Sequence, residues 1–160
     1  MDYTYEKAKK IAAGLVATRM YTCREIEDRL RRKKIDSEIA EKVVGDFVGA
    51  GILNDFEYAK LYIEEAVRLG GKGMYRIRQE LYAKGVARAV IDDACDNCEE
   101  DTLAAICEYV ESHRLCEGIT TRKDLEKLKA RLARRGFSSA EIRECLSNYE
   151  FTFESDDEYL

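Results

Sequence analysis

Apolar residues recur along this chain at intervals of three and four. Tyr5, Ala8, Ile11, Ala12 and Leu15 are spaced so that they fall on one face of an α-helix, with charged residues between them. Thr22-Cys23-Arg24-Glu25 reads as a capping box, in which the threonine hydroxyl accepts from a first-turn amide and the glutamate reaches back to the cap. It predicts a second helix running through Ile26 and Leu30. Asp36 or Ser37 is expected to cap a third, carrying Ile39, Ala40, Val43, Val44 and Phe47. The next stretch repeats the plan with Phe56, Ala59, Tyr62 and Ile63, then Ile77 and Leu81, then Val90, Ile91 and Ala94. The last repeats it with Cys107 and Val110, then Leu125, Leu128 and Leu132, then Ile142, Cys145 and Leu146, where Ser138-Ser139-Ala140-Glu141 offers another box. The pattern predicts nine helices, three to a segment.

Those segments are copies of one unit. At a shift of 51 residues Leu30, Leu81 and Leu132 coincide without a gap, and so do Ile26, Ile77 and Leu128, and Ile35, Val86 and Phe137. A fixed period of this size marks a tandem array. The expected fold is all-α: three three-helix repeats at 5–53, 56–104 and 105–149 in an elongated, curved array, followed by an acidic tail at 150–160. Gly85 and Gly136 align where each second helix ends, the place for a left-handed residue, and Lys34 takes that place in the first copy. A unit of about 50 residues buries little apolar surface alone, so each copy must lean on its neighbours. Repeat arrays usually present an extended surface to a partner, which makes binding the leading expectation.

Composition sharpens this. The 160 residues include no proline and 37% charged residues, which suits helices throughout. No apolar run is long enough to cross a bilayer, and Met1-Asp2-Tyr3-Thr4-Tyr5-Glu6 does not resemble a signal peptide, so a soluble cytoplasmic protein without membrane contact, and a monomer, is expected. The net charge of −5 is unevenly placed. Residues 22–34 hold six cations against three anions, 72–84 four against one, and 122–135 seven against two. Residues 36–47, 87–101 and 150–160 are net acidic. Each second helix is therefore basic, which points to a polyanion or an acidic partner met by Arg31, Arg32, Lys72, Arg76, Arg78, Lys84, Lys127, Arg131, Arg134 and Arg135.

Candidate chemistry is sparse. The chain has one histidine, His113, and no Ser/His/Asp set, HExxH motif or carboxylate-rich metal loop, so catalysis is not expected. Gly70-Gly71-Lys72-Gly73 lacks the spacing and closing Lys-Ser/Thr of a phosphate loop and reads as a joint between helices. Of six cysteines, five align with mostly apolar positions of other copies, as small core residues do. A zinc site can be drawn from Cys95, Cys98, His113 and Cys116, but an isolated CxxC is weak support, and neither metal nor cofactor is expected.

Three stretches also resemble a known family. Gly51-Ile52-Leu53-Asn54-Asp55-Phe56-Glu57-Tyr58-Ala59-Lys60-Leu61-Tyr62-Ile63, Gly73-Met74-Tyr75-Arg76-Ile77-Arg78-Gln79-Glu80-Leu81-Tyr82-Ala83-Lys84-Gly85-Val86 and Arg134-Arg135-Gly136-Phe137 are similar, in order, to segments of the RecX regulators of the RecA recombinase. Asn54 stands where that family usually has aspartate and Lys34 where it often has glycine. The resemblance covers roughly 5–149 and implies a non-enzymatic modulator, most often an inhibitor, that lodges in the groove of the RecA–single-stranded DNA filament. It would act on ATP hydrolysis, filament growth and strand exchange. The residues alone leave two other readings open: a helical adaptor for another protein, and a nonspecific single-stranded DNA binder.

Overall fold

A computed structural model describes residues 3–154. Among them the chain forms nine helices: α1 (Tyr3–Val16), α2 (Cys23–Arg32), α3 (Ser37–Gly49), α4 (Asp55–Leu69), α5 (Met74–Ala83), α6 (Arg88–Asp96), α7 (Thr102–Ser112), α8 (Arg122–Arg134) and α9 (Ser139–Leu146). The expected tail at 150–160 lies outside the described residues from 155 onward.

The residues that coincide at the 51-residue shift are those that end each second helix. Lys34, Gly85 and Gly136 have φ of 63°, 90° and 96°. In each case the amide of the next residue reaches back to the leucine five positions earlier: Ile35 to Leu30 at 3.1 Å, Val86 to Leu81 at 3.1 Å, Phe137 to Leu132 at 3.3 Å. This is the left-handed helix stop that satisfies carbonyls otherwise left open. The residue after the turn is apolar because it folds back onto the core: Ile35, Val86 and Phe137 are all buried, as are the three leucines. The repeated leucine and its partner five residues on thus encode a helix stop together with its hydrophobic clasp.

Helix starts are less uniform. Thr22 and Thr121 form complete capping boxes with Glu25 and Asp124. Hydrogen bonds from Thr121 and Thr120 hold the Asp124 carboxyl below its ordinary range. Ser138 accepts from the Glu141 amide. Asp36, one of the two residues expected there, is the N-cap of α3, but its side chain makes no cap hydrogen bond.

Contacts divide the chain into two compact units, one of Met1–Tyr62 with Glu80–Cys98, the other of Ile63–Gln79 with Glu99–Leu160. The division cuts α4 and α5, so the middle copy is shared between the units. The first core joins Ala8 and Ala12 of α1, Ile26 and Leu30 of α2, and Ala40, Val43, Val44 and Phe47 of α3. The second joins Ile106 and Val110 of α7, Leu128 and Leu132 of α8, and Ile142, Cys145 and Leu146 of α9.

Within each unit the end of one second helix is fitted to the start of another. In the first, the fully buried Thr22 hydroxyl donates to the Lys84 carbonyl at 2.7 Å, and a Cβ on Gly85 would fall on the Arg24 side chain. In the second, the Gly73 amide donates to the Arg135 carbonyl at 2.8 Å and the Tyr75 amide to the Gly136 carbonyl at 3.2 Å. A Cβ on Gly136 would stand 2.5 Å from the Arg76 amide nitrogen. Gly70 and Gly71 both have positive φ, so the glycine-rich stretch is the joint that the sequence suggested.

Candidate partner-binding surface

The cationic candidates separate into displayed and engaged residues. On α2, Arg31 and Arg32 are exposed, and Arg31 is paired with Glu27 and Asp28, each at 3.3 Å. On and beside α5, Arg76 is exposed while Lys72 and Arg78 are half-buried, and all three already interact with other groups in the fold. The Lys84 ammonium lies 5.7 Å from the Tyr62 ring centroid. Arg135 is drawn inward: its Nε donates to the Gly71 carbonyl at 2.6 Å and its guanidinium lies 5.0 Å from the Tyr109 ring centroid. Arg135 therefore holds the joint, and a contact made outward falls to its neighbours.

α8 is different. Lys123, Lys127, Arg131 and Arg134 are all exposed. Their spacing of four, four and three places them on one face of the helix, opposite the buried Leu128 and Leu132. None of the four forms an ion pair with a described residue. The stripe is about 16 Å long at 1.5 Å per residue. Repulsion among like charges four apart is unfavourable in an isolated helix, so an unpaired row of cations is a feature that an anionic partner would stabilise. Lys123 was missing from the sequence candidates; its i, i+4 relation to Lys127 was the signal that could have found it.

Two apolar features were not legible beforehand. Tyr75 and Tyr82, seven residues apart on α5, are 66% and 60% exposed. A groove of about 1120 Å³ opens on another flank of α8, floored by Leu125, Ala133, Phe137, Ile142, Leu146 and Phe151, with Lys129, Arg143, Glu126 and Glu141 among its polar lining. One Glu141 carboxylate oxygen there is buried without a hydrogen-bond partner.

The cysteines correct the expectation in part. Cys145 is fully buried, but Cys23, Cys95, Cys98, Cys107 and Cys116 are only half-buried. Burial, then the Asp55 carboxylate, pushes the Cys23 thiol up to about 12; burial, then a hydrogen bond with Cys107, pushes Cys145 up to about 12. Burial also raises Cys116. Protonated thiols are poor nucleophiles and poor ligands. Among the described residues no group of three or more His, Cys, Asp or Glu is placed to hold a metal, and no helix is long and apolar enough to cross a membrane.

The fold and the surface define an all-helical protein of three-helix domains whose second helices carry basic faces. Sequence models of two such domains match: "RecX, first three-helix domain" over residues 8–47 and "RecX, second three-helix domain" over 54–94. The chain belongs to the RecX family of regulatory proteins. It is 33% identical over 137 residues to the regulatory protein RecX of Streptomyces lividans, covering 83% of this chain and 72% of that one. To the RecX of Halorhodospira halophila (strain DSM 244 / SL1) it is 31% identical over 139 residues, covering 86% and 85%. The crystal structure of RecX from Lactobacillus salivarius superposes with a TM-score of 0.79 over 92% of this chain and 97% of that one, and at 20% identity it speaks to the fold.

Proposed function

We propose that this protein regulates a RecA recombinase by binding, lodging in the groove of the RecA–single-stranded DNA filament through the basic faces of its second helices, without catalysis of its own. The observation that carries the reading is the exposed stripe of Lys123, Lys127, Arg131 and Arg134 on α8, which forms no ion pair with a described residue, in a chain of the RecX family. A row of cations unmatched among the described residues suits DNA phosphate or an acidic protein surface. Among the other second helices, Arg32 and Arg76 are exposed as well.

The test reverses charge on the stripe. K127E/R131E/R134E should leave the melting curve nearly unchanged, because exposed charges contribute little to folding. It should weaken the effect on RecA-driven ATP hydrolysis by about tenfold or more, equivalent to about 1.4 kcal/mol of binding. The matched control is K7E/K9E/K10E on α1, also exposed cations, which should do much less. Equal activity of the two triple variants would remove the stripe from the mechanism. The groove beside α8 favours a second reading, an adaptor docking an apolar protein segment. Binding measured to bare single-stranded DNA, to RecA alone and to the assembled filament separates the readings.

A further inference from the structure

Comparison of the copies explains why a groove opens beside α8. At the 51-residue shift Ala130 and Ala133 take the places of Gln79 and Tyr82 in the second copy, and of Asp28 and Arg31 in the first. Ser139 takes the place of Arg88. In the second copy the Arg88 guanidinium lies 5.8 Å from the Tyr82 ring centroid, so a long cation on α6 reaches over to a ring on α5. In the first, Arg31 lies against Glu27 and Asp28. Two exposed alanines and an exposed serine leave the same flank of α8 open. The sign of the rim changes as well. Arg143 stands where the earlier copies have Asp92 and Glu41; it is exposed and forms no ion pair with a described residue.

Size and length narrow the occupant. The groove, at about 1120 Å³, exceeds the pocket of about 300 to 1000 Å³ that holds a small molecule. From Leu125 to Ala133 it follows α8 for about 12 Å at 1.5 Å per residue. Apolar anchors at i and i+7 of an amphipathic helix span about 10.5 Å, which matches. Of the carboxylates in the lining, Glu126 is held by Lys129 at 3.3 Å and Glu141 by the Ser138 hydroxyl at 3.0 Å. That leaves Arg143 and the neighbouring stripe to set the charge that an occupant meets.

We propose that this groove docks an acidic amphipathic helix of a protein partner, its apolar anchors lying against Ala130 and Ala133 and its carboxylates facing Arg143 and the stripe. The inference goes beyond the filament reading and needs no DNA. Small side chains on α8 let the incoming helix approach closely, and the anchors supply the ring that the second copy carries for itself as Tyr82. The cations on the rim select carboxylates and repel a basic helix of the same shape.

The probe is a fluorescent helical peptide of about sixteen residues, with leucine, phenylalanine and leucine at i, i+4 and i+7 and glutamate and alanine elsewhere. One control peptide has lysine for glutamate, and another has the anchors scattered around the helix. Anisotropy should show the acidic peptide binding about tenfold or more tightly than either control. A133Y/S139R installs the residues of the second copy at exposed positions and should weaken that binding by about tenfold or more, with the melting curve unchanged. R143D, again the residue of the second copy, leaves the groove open and should narrow the preference for the acidic over the basic peptide. Equal binding of the three peptides, no detectable binding of the acidic one, or full binding by A133Y/S139R would overturn the proposal. So would a dimer in solution that A133Y/S139R dissolves, since the groove would then belong to a second copy. If the peptides behave as described while the natural chain leaves RecA ATP hydrolysis untouched, the RecA reading fails and the docking groove stands.

Discussion

Lys34 and Gly136 hold equivalent places and answer to different constraints. Both are left-handed, but Lys34 is exposed, whereas a Cβ on Gly136 would meet the Arg76 backbone. A non-glycine residue in this conformation costs about 1 kcal/mol, part of which glycine returns through its freer unfolded state. Lys34→Gly should therefore raise stability by about 0.5 kcal/mol. Gly85→Val and Gly136→Val should each lower it by about 3 kcal/mol or more, because strain and overlap act together. Chemical denaturation checks the order, and a destabilised Lys34→Gly protein would contradict it. The backbone conformation at these positions was legible in the alignment of the copies. The overlap was not, because it depends on which residue of another copy is brought against the glycine.

At the level of the helix, Thr22 and Thr121 look interchangeable in sequence, each followed three residues later by a carboxylate. The fold separates them. Thr121 serves only its own helix start, while the buried Thr22 hydroxyl also bonds the Lys84 carbonyl. Losing a cap costs about 1 kcal/mol, and leaving the part-buried Lys84 carbonyl without its donor adds about as much. Thr121→Ala should cost about 1 kcal/mol and Thr22→Ala about 2 kcal/mol in thermal or urea unfolding, and equal losses would mean that the bond to Lys84 contributes nothing. The nine helices were legible because a 3.6-residue period and short capping signals are local. The division of α4 and α5 between two compact units was not, since helical periodicity shows that a face is buried and not against what. The same holds for the candidate surface. Net charge picked out α8, but only the fold distinguishes Arg135, turned onto Gly71 and Tyr109, from Arg134 one residue earlier.

Taken as a whole, the molecule carries a net charge of −5 and yet displays a row of four cations that form no ion pair with a described residue. Overall charge would keep it away from nucleic acid, and local charge would bring one face toward it. If the four cations replace counterions on single-stranded DNA within a filament, log K should fall against log salt with a slope of about −3. Arg131→Glu with Arg134→Glu should make that slope shallower by about 1.4 or more. A slope near zero in the unmodified protein would instead favour the apolar groove as the contact. Family membership was legible in three ordered segments, whereas the lack of an ion pair between the stripe and any described residue depends on where the fold places the carboxylates of 3–154.

The hydrogen bonds from Gly73 and Tyr75 to the carbonyls of Arg135 and Gly136 bear on how such a protein can gain or lose a copy. The amides that open α5 find their acceptors in the turn that closes α8, far outside the matched second domain at 54–94. One copy earlier a side chain makes the contact instead: the Thr22 hydroxyl donates to the Lys84 carbonyl in the turn that closes α5. The start of α5 is thus completed by a later stretch of sequence, so an excised middle domain would lack acceptors that its own residues cannot supply. A gene can duplicate or delete such a segment in one event, but the protein must then supply a new acceptor turn for the helix left facing the gap.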